Sequence, residues 1–109
     1  MAAEPMNAVE SAWVSLAMRL SCASCFERGL DTPSDEWHHI REGAGAGRRA
    51  PHLCGIPLCR PCHQGIEGIH GMGTRAFAAL RGVDEIDLLG ETLVRFALLV
   101  GVRGIARGR

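Results

Sequence analysis

The sequence has no tyrosine and no lysine, and its aromatic side chains are three Phe and two Trp among 109 residues. With so few large aromatic residues, the core must consist mainly of Leu, Ile, Val and Ala, and it must be small. A short chain with a modest core often requires a metal ion or disulfides for stability. The composition therefore predicts a single domain, residues 1–109, that is stabilised by more than apolar packing.

The chain also lacks a net charge and a long apolar run, since 12 basic residues balance 12 acidic ones. Overall charge therefore selects no class of partner. No stretch has the length and apolarity of a membrane span. The first seven residues also lack the basic segment that opens a secretory signal. We expect neither membrane insertion nor export.

Positive charge is nevertheless concentrated in the middle of the chain. Residues 37–82 contain six Arg and two Glu, whereas residues 1–36 contain two Arg and six acidic residues. The Arg guanidinium suits bidentate phosphate contact. Ordinary surface solvation, or a coding bias toward Arg over Lys, explains the pattern equally well. The candidate contacts to a nucleic-acid backbone are Arg41, Arg48, Arg49, Arg60 and Arg75.

Four of the five cysteines form two Cys-x-x-Cys pairs, Cys22 with Cys25 and Cys59 with Cys62. A two-residue spacer lets one turn provide two thiolates to the same ion, and two such turns complete a tetrahedral zinc site. The spacing therefore predicts structural Zn²⁺. Free or redox-active cysteines are the alternative, but no thioredoxin-like βαβ pattern surrounds them. Cys54 is left over, and we expect it to be a buried, inert thiol.

Hydrophobic periodicity and turn residues predict the secondary structure. The predicted elements are a helix over 6–20, strands over 35–41 and 53–58 with a mobile Gly-rich loop between them, helices over 61–69, 74–80 and 84–100, and a flexible tail over 101–109. Asp84, Glu85 and Asp87 at the start of the last helix complement its dipole. The broad apolar face of that helix predicts burial against the domain or a homodimer.

Two histidines follow each cysteine pair: His38 and His39 follow the first, and His63 and His70 follow the second. His38 and His39 are neighbours on a predicted strand, so their side chains lie on opposite faces. His63 and His70 are seven residues apart, about two helical turns, so both can face one side of a helix. We therefore expect one of the paired histidines to join His63 and His70 at a metal, while the other points toward a substrate.

The segments WHHIREG, PLCRPCHQG and GIHGMGTRAF, in this order after a cysteine pair, resemble the small HNH endonucleases of the ββα-metal superfamily, in particular phage and prophage versions. The resemblance extends over residues 22–92. It implies an α+β fold with a ββα-metal core over 22–80, stabilised by the four-cysteine zinc and flanked by an N-terminal helix and C-terminal helices.

The resemblance also implies roles for individual residues. His38, His63 and His70 would bind a catalytic divalent cation, Mg²⁺, Mn²⁺ or another, and His39 would be the general base. The expected reaction is hydrolysis of DNA phosphodiester bonds. It would take place in the cytoplasm of a bacterium or of a phage-infected host cell.

Two features depart from this family. Its middle Asn is missing, because Asn7 is the only Asn in the chain; His52, Cys54 or a backbone carbonyl near Leu53 could orient His39 instead. The separation of His63 and His70 is also longer than usual, and Glu67 occupies the nearer position as a possible ligand or a solvated residue. The missing Asn favours an alternative function, a zinc-stabilised module that binds nucleic acid or protein without catalysis.

Overall fold

The computed structural model describes residues 5–41 and 51–101. In this part of the chain a two-stranded antiparallel hairpin is preceded and followed by helices, so the α+β class is confirmed. None of the described helices is both long and apolar enough to cross a membrane. The elements are α1 (Ala8–Ala17), α2 (Ala23–Glu27), β1 (Glu36–His39), β2 (Gly55–Leu58), α3 (Arg60–Gln64), α4 (Ile69–Met72), α5 (Thr74–Arg81) and α6 (Glu85–Leu99).

Two capping boxes determine where the long helices begin. The Asn7 side chain accepts the Glu10 N–H, and the Glu10 carboxylate accepts the Asn7 N–H, so α1 starts after Asn7. Asp84 and Asp87 make the same reciprocal pair at the start of α6. Because each box satisfies backbone donors that have no helical partner, both helices start within two residues of the predicted positions.

The hairpin pairs Glu36 with Leu58 at one end and His39 with Gly55 at the other. The Trp37 indole lies against Gly55, where an added Cβ would be 2.3 Å from the indole nitrogen. The same nitrogen donates a hydrogen bond to the His52 carbonyl at 2.8 Å. Trp37 therefore packs within the hairpin, and its indole leaves room only for glycine at position 55.

The core lies between the hairpin, the cysteine pairs and the C-terminal helices. Ile56 and Leu58 of β2 are fully buried, together with Phe77 of α5 and Leu88 of α6. Helix α6 packs against β2 and α2. Trp13 of α1 stacks on Phe96 of α6 with 4.1 Å between ring centroids, which attaches the N-terminal helix.

Helix α6 buries only part of its apolar surface. Leu88 and Phe96 are buried, whereas Ile86, Val94 and Leu98 remain between 46% and 62% exposed. The predicted burial against the domain is therefore partial. A homodimer through this helix stays a prediction. The predicted Gly-rich loop, Arg48 and Arg49 and the tail beyond residue 101 lie outside the described residues.

Candidate metal centres

The four paired cysteines come together in the core. Cys22 precedes α2 and Cys25 lies in its first turn, while Cys59 precedes α3 and Cys62 lies within it. The Cys25 sulfur is 3.9 Å from that of Cys59 and 3.8 Å from that of Cys62. Zn–S bonds of about 2.3 Å at tetrahedral angles place sulfurs about 3.8 Å apart. The buried four-cysteine group could therefore bind zinc.

The four thiols influence one another's ionisation. A hydrogen bond to Cys62, together with burial, raises the pKa of the Cys22 thiol to about 12. The same hydrogen bond lowers the pKa of Cys62. Arg28 donates to the sulfurs of Cys25 and Cys62 at 3.6 and 3.7 Å. Four adjacent buried thiols cannot all ionise on their own, but a coordinated Zn²⁺ deprotonates them.

Cys54 lies outside the four-cysteine group. It is half-buried rather than fully buried, because it precedes β2 on the turn at the end of the hairpin. The prediction that this thiol is buried was wrong.

His38, His63 and His70 form a second group, whose nitrogen atoms lie within 4.8 Å of one another. Nδ1 of His38 is 3.1 Å from Nε2 of His63. The His70 ring centroid lies 5.1 Å from that of His38 and 4.6 Å from that of His63. The structure thus brings together the three histidines that were predicted as cation ligands.

Each histidine enters this group from a different element. Strand alternation directs His38 of β1 inward, where it is 1% exposed. His63 lies in α3 and is 7% exposed, and His70 lies at the outer edge in α4. Burial, with smaller effects of His63 and His38, lowers the pKa of His70. A neutral His70 imidazole has a lone pair for a metal ion.

The predicted continuous helix over 61–69 was wrong. Helix α3 ends at Gln64, and α4 begins at Ile69 after a tight turn. Glycines make this turn possible, since an added Cβ at Gly65 or Gly68 would lie 2.5 to 2.6 Å from the Pro61 carbonyl oxygen. At Gly71 it would lie 1.8 Å from the Gly65 oxygen. Close backbone contact, rather than helical periodicity, places His70 beside His63.

We expect Gly71→Ala to destabilise the domain by about 1–3 kcal/mol, the usual cost of an overpacked contact. The added methyl group would push α4 away from the Gly65 carbonyl and separate His70 from His63. Urea unfolding measures the loss. Gly90→Ala is the matched control, because no atom lies within 4 Å of its added Cβ, and it should stabilise α6 by about 0.5–1 kcal/mol. Equal stability of the two variants would contradict the close contact.

Two carboxylates that were not predicted as part of the site contact the histidine group. Oε2 of Glu85 lies 2.5 Å from Nε2 of His38, and Oε1 of Glu85 accepts the Arg41 N–H at 2.8 Å. Oε1 of Glu36 lies 2.7 Å from Nδ1 of His63. Strand alternation could have identified Glu36, which is two residues before His38 and on the same face. No local signal identifies Glu85, which is 47 residues away.

His39 lies in the same strand as His38 but is half-buried and outside the three-histidine group. Its Nε2 atom is 3.0 Å from Nδ1 of His52. Among His52, Cys54 and a backbone carbonyl near Leu53, the groups predicted to orient His39, this contact favours His52. Glu67 does not join the histidines: its side chain is exposed and lies 3.9 Å from Arg81.

The candidate arginines are divided by position. Arg41 and Arg75 line one open cavity of about 300 Å³ together with Thr74 and Glu85. Arg60 is exposed and lies 3.5 Å from Glu36, a long surface ion pair. Arg41 therefore connects the cavity with the histidine group, because its backbone N–H binds Glu85.

No protein-family model matches the chain, and no curated protein matches it either. Any functional assignment therefore rests on the geometry of the four-cysteine group and the three-histidine group.

Proposed function

We propose that the protein is a metal-dependent endonuclease of the HNH type, which hydrolyses phosphodiester bonds in DNA. The observation that carries this proposal is the pairing of a strand histidine, His38, with a helix histidine, His63, at 3.1 Å beside a buried four-cysteine group. A hairpin followed directly by a short helix matches the ββα order that the resemblance implies. Zinc at the cysteines would fasten the helix to the rest of the domain.

The proposed cation ligands are His38, His63 and His70. The 3.1 Å between Nδ1 of His38 and Nε2 of His63 fits a single ion, since two bonds of about 2.1 Å at angles between 90° and 109° separate the ligand atoms by about 3.0 to 3.4 Å. A ligand nitrogen of His70 lies within 4.8 Å of those of the other two histidines. A divalent cation held there neutralises charge on the scissile phosphate and on the leaving oxygen. The burial of His38 and His63 holds these two ligands rigidly in place.

His39 is the proposed general base, which removes a proton from the attacking water. A neutral His39 that donates its Nε2 proton to Nδ1 of His52 carries its lone pair on Nδ1. A neutral imidazole is a frequent general base in enzymes that work near physiological pH. His52 would thus orient the base in place of the Asn that this sequence lacks.

The DNA backbone is proposed to lie over the side of the domain that carries Arg41 and Arg75. Their shared cavity adjoins Glu85 and therefore the His38 side of the cation site. Guanidinium groups next to a cation suit sequence-independent phosphate contact, which weakens steeply with added salt.

Supercoiled plasmid tests the proposal. The zinc-loaded protein should nick it when Mg²⁺ or Mn²⁺ is added and should leave it intact in metal-free buffer. Retention of DNA without cleavage under every divalent ion tried would favour the binding module, the alternative that the missing Asn supports. If the protein neither binds nor cleaves DNA, both the nuclease and the nucleic-acid-binding module are excluded.

A further inference from the structure

Glu85 lies in α6, outside the hairpin and the helices that supply the three histidines. It is 5% exposed and buried beside His38. Buried carboxylates are rare unless their oxygens are matched by donors. Both oxygens of Glu85 have a partner here: Oε1 accepts the Arg41 N–H, and Oε2 contacts Nε2 of His38.

We propose that Glu85 is a positioning residue of the histidine site, which holds the His38 imidazole so that its Nδ1 lone pair faces the cation. This inference rests on the cation-binding part of the proposed function and does not depend on cleavage.

A carboxylate accepts hydrogen bonds and has no proton to donate. The short contact with Glu85 therefore requires that Nε2 of His38 carries the proton. A neutral His38 then has its lone pair on Nδ1. That is the atom directed at His63, 3.1 Å from its Nε2.

Glu36 imposes the same condition on His63. Its Oε1 lies 2.7 Å from Nδ1 of His63. Nδ1 of His63 therefore donates, and Nε2 of a neutral His63 carries the lone pair. When both imidazoles are neutral, two lone pairs face each other across 3.1 Å. Such an arrangement is repulsive until a positive centre lies between them, and a shared cation meets that need with the spacing that ligand nitrogens adopt.

Carboxylates that accept the distal N–H of metal-bound histidines fix the tautomer and increase the basicity of the ligand nitrogen. Here one such carboxylate, Glu36, belongs to the hairpin and the other, Glu85, to the C-terminal helix. The docking of α6 and the assembly of the cation site are therefore coupled through Glu85.

Glu85→Gln separates positioning from packing, because Gln has nearly the same shape. Its amide oxygen can still accept the Arg41 N–H, which leaves the amide NH₂ facing Nε2 of His38. A donor at that place requires the other tautomer, with the His38 proton on Nδ1, where it blocks the ion. We therefore expect the substitution to weaken cation binding by about 10- to 100-fold.

The probe is Mn²⁺, titrated into the zinc-loaded full chain and followed by the EPR signal of the free ion. Mn²⁺ competes poorly for thiolates, so the four-cysteine site is not disturbed. Asp87→Ala is the matched control: it removes the capping box at the start of α6 and leaves His38 untouched. It should lower stability while Mn²⁺ affinity stays at the wild-type value.

Wild-type Mn²⁺ affinity in Glu85→Gln would overturn the proposal. A second measurement does not require that variant to fold: long-range ¹H–¹⁵N correlation on the wild-type protein should find the His38 proton on Nε2, and a proton on Nδ1 would also overturn the proposal. If Mn²⁺ binding depends on Glu85 but plasmid is never cut, only the nuclease function is excluded.

Discussion

Cys59→Ser should abolish zinc binding and leave the domain largely unfolded. Structural Zn²⁺ in small cysteine sites contributes roughly 10–16 kcal/mol at neutral pH. Small domains have a total stability of only about 5–15 kcal/mol. The loss should be large here because the four cysteines connect α2 to α3 and occupy the same core as Ile56 and Leu58. Metal analysis should find one zinc per wild-type chain and none in the variant.

Far-UV circular dichroism and thermal melting measure the structural part of this prediction. Cys54→Ser is the matched control, because Cys54 is outside the four-cysteine group and should retain full zinc content and wild-type melting. A Cys59→Ser protein that melts cooperatively at the wild-type temperature without zinc would show that the sulfur group is only a packed cluster. The fold would then be held by apolar contacts alone.

His39→Ala should reduce plasmid cleavage by about 10²- to 10⁴-fold, the usual contribution of a general base. Zinc content, Mn²⁺ affinity and melting temperature should all remain unchanged, because His39 belongs to neither ligand group. The combination matters, since a variant that fails to cut because it is unfolded gives no information about the base. Initial nicking rates at saturating Mn²⁺ make the comparison.

His52 provides a graded control for the same reaction. His52→Ala removes the contact at 3.0 Å with His39 but leaves the base itself, so its loss of activity should be smaller than that of His39→Ala. His52→Asn keeps a polar partner near His39 and should recover part of the rate. Wild-type cleavage by His39→Ala would exclude this residue as the base, whatever the two His52 variants do.

The sequence predicted those parts of the site that depend on short spacing. Two residues between cysteines identified all four members of the sulfur group, and strand alternation separated His38 from His39. The association of His63 with His70 was correct, but the reason was not. The prediction relied on two turns of a continuous helix. Helix α3 instead ends before Gly65, and the chain turns back into α4 because glycines allow the two backbone segments to come into contact.

Other features could not be predicted, because they depend on where distant segments pack. The negative charge of Glu85 in the first turn of a helix is already explained by the helix dipole, so the sequence gives no reason to expect a distant partner for it. Its contact with His38 arises only when α6 docks on β2. The short helix α2 was not predicted either, because five residues are too few to show the hydrophobic period of a helix.

Helix α6 supplies no cysteine or histidine to either ligand group, yet both groups depend on contacts that it makes. A fragment cut after α5 would retain every cysteine and histidine of the two ligand groups. It would nevertheless lack the acceptor of His38 and would expose the surface that Leu88 covers. Transfer of the hairpin and the helices after it to another scaffold would therefore also require a substitute for the C-terminal helix α6.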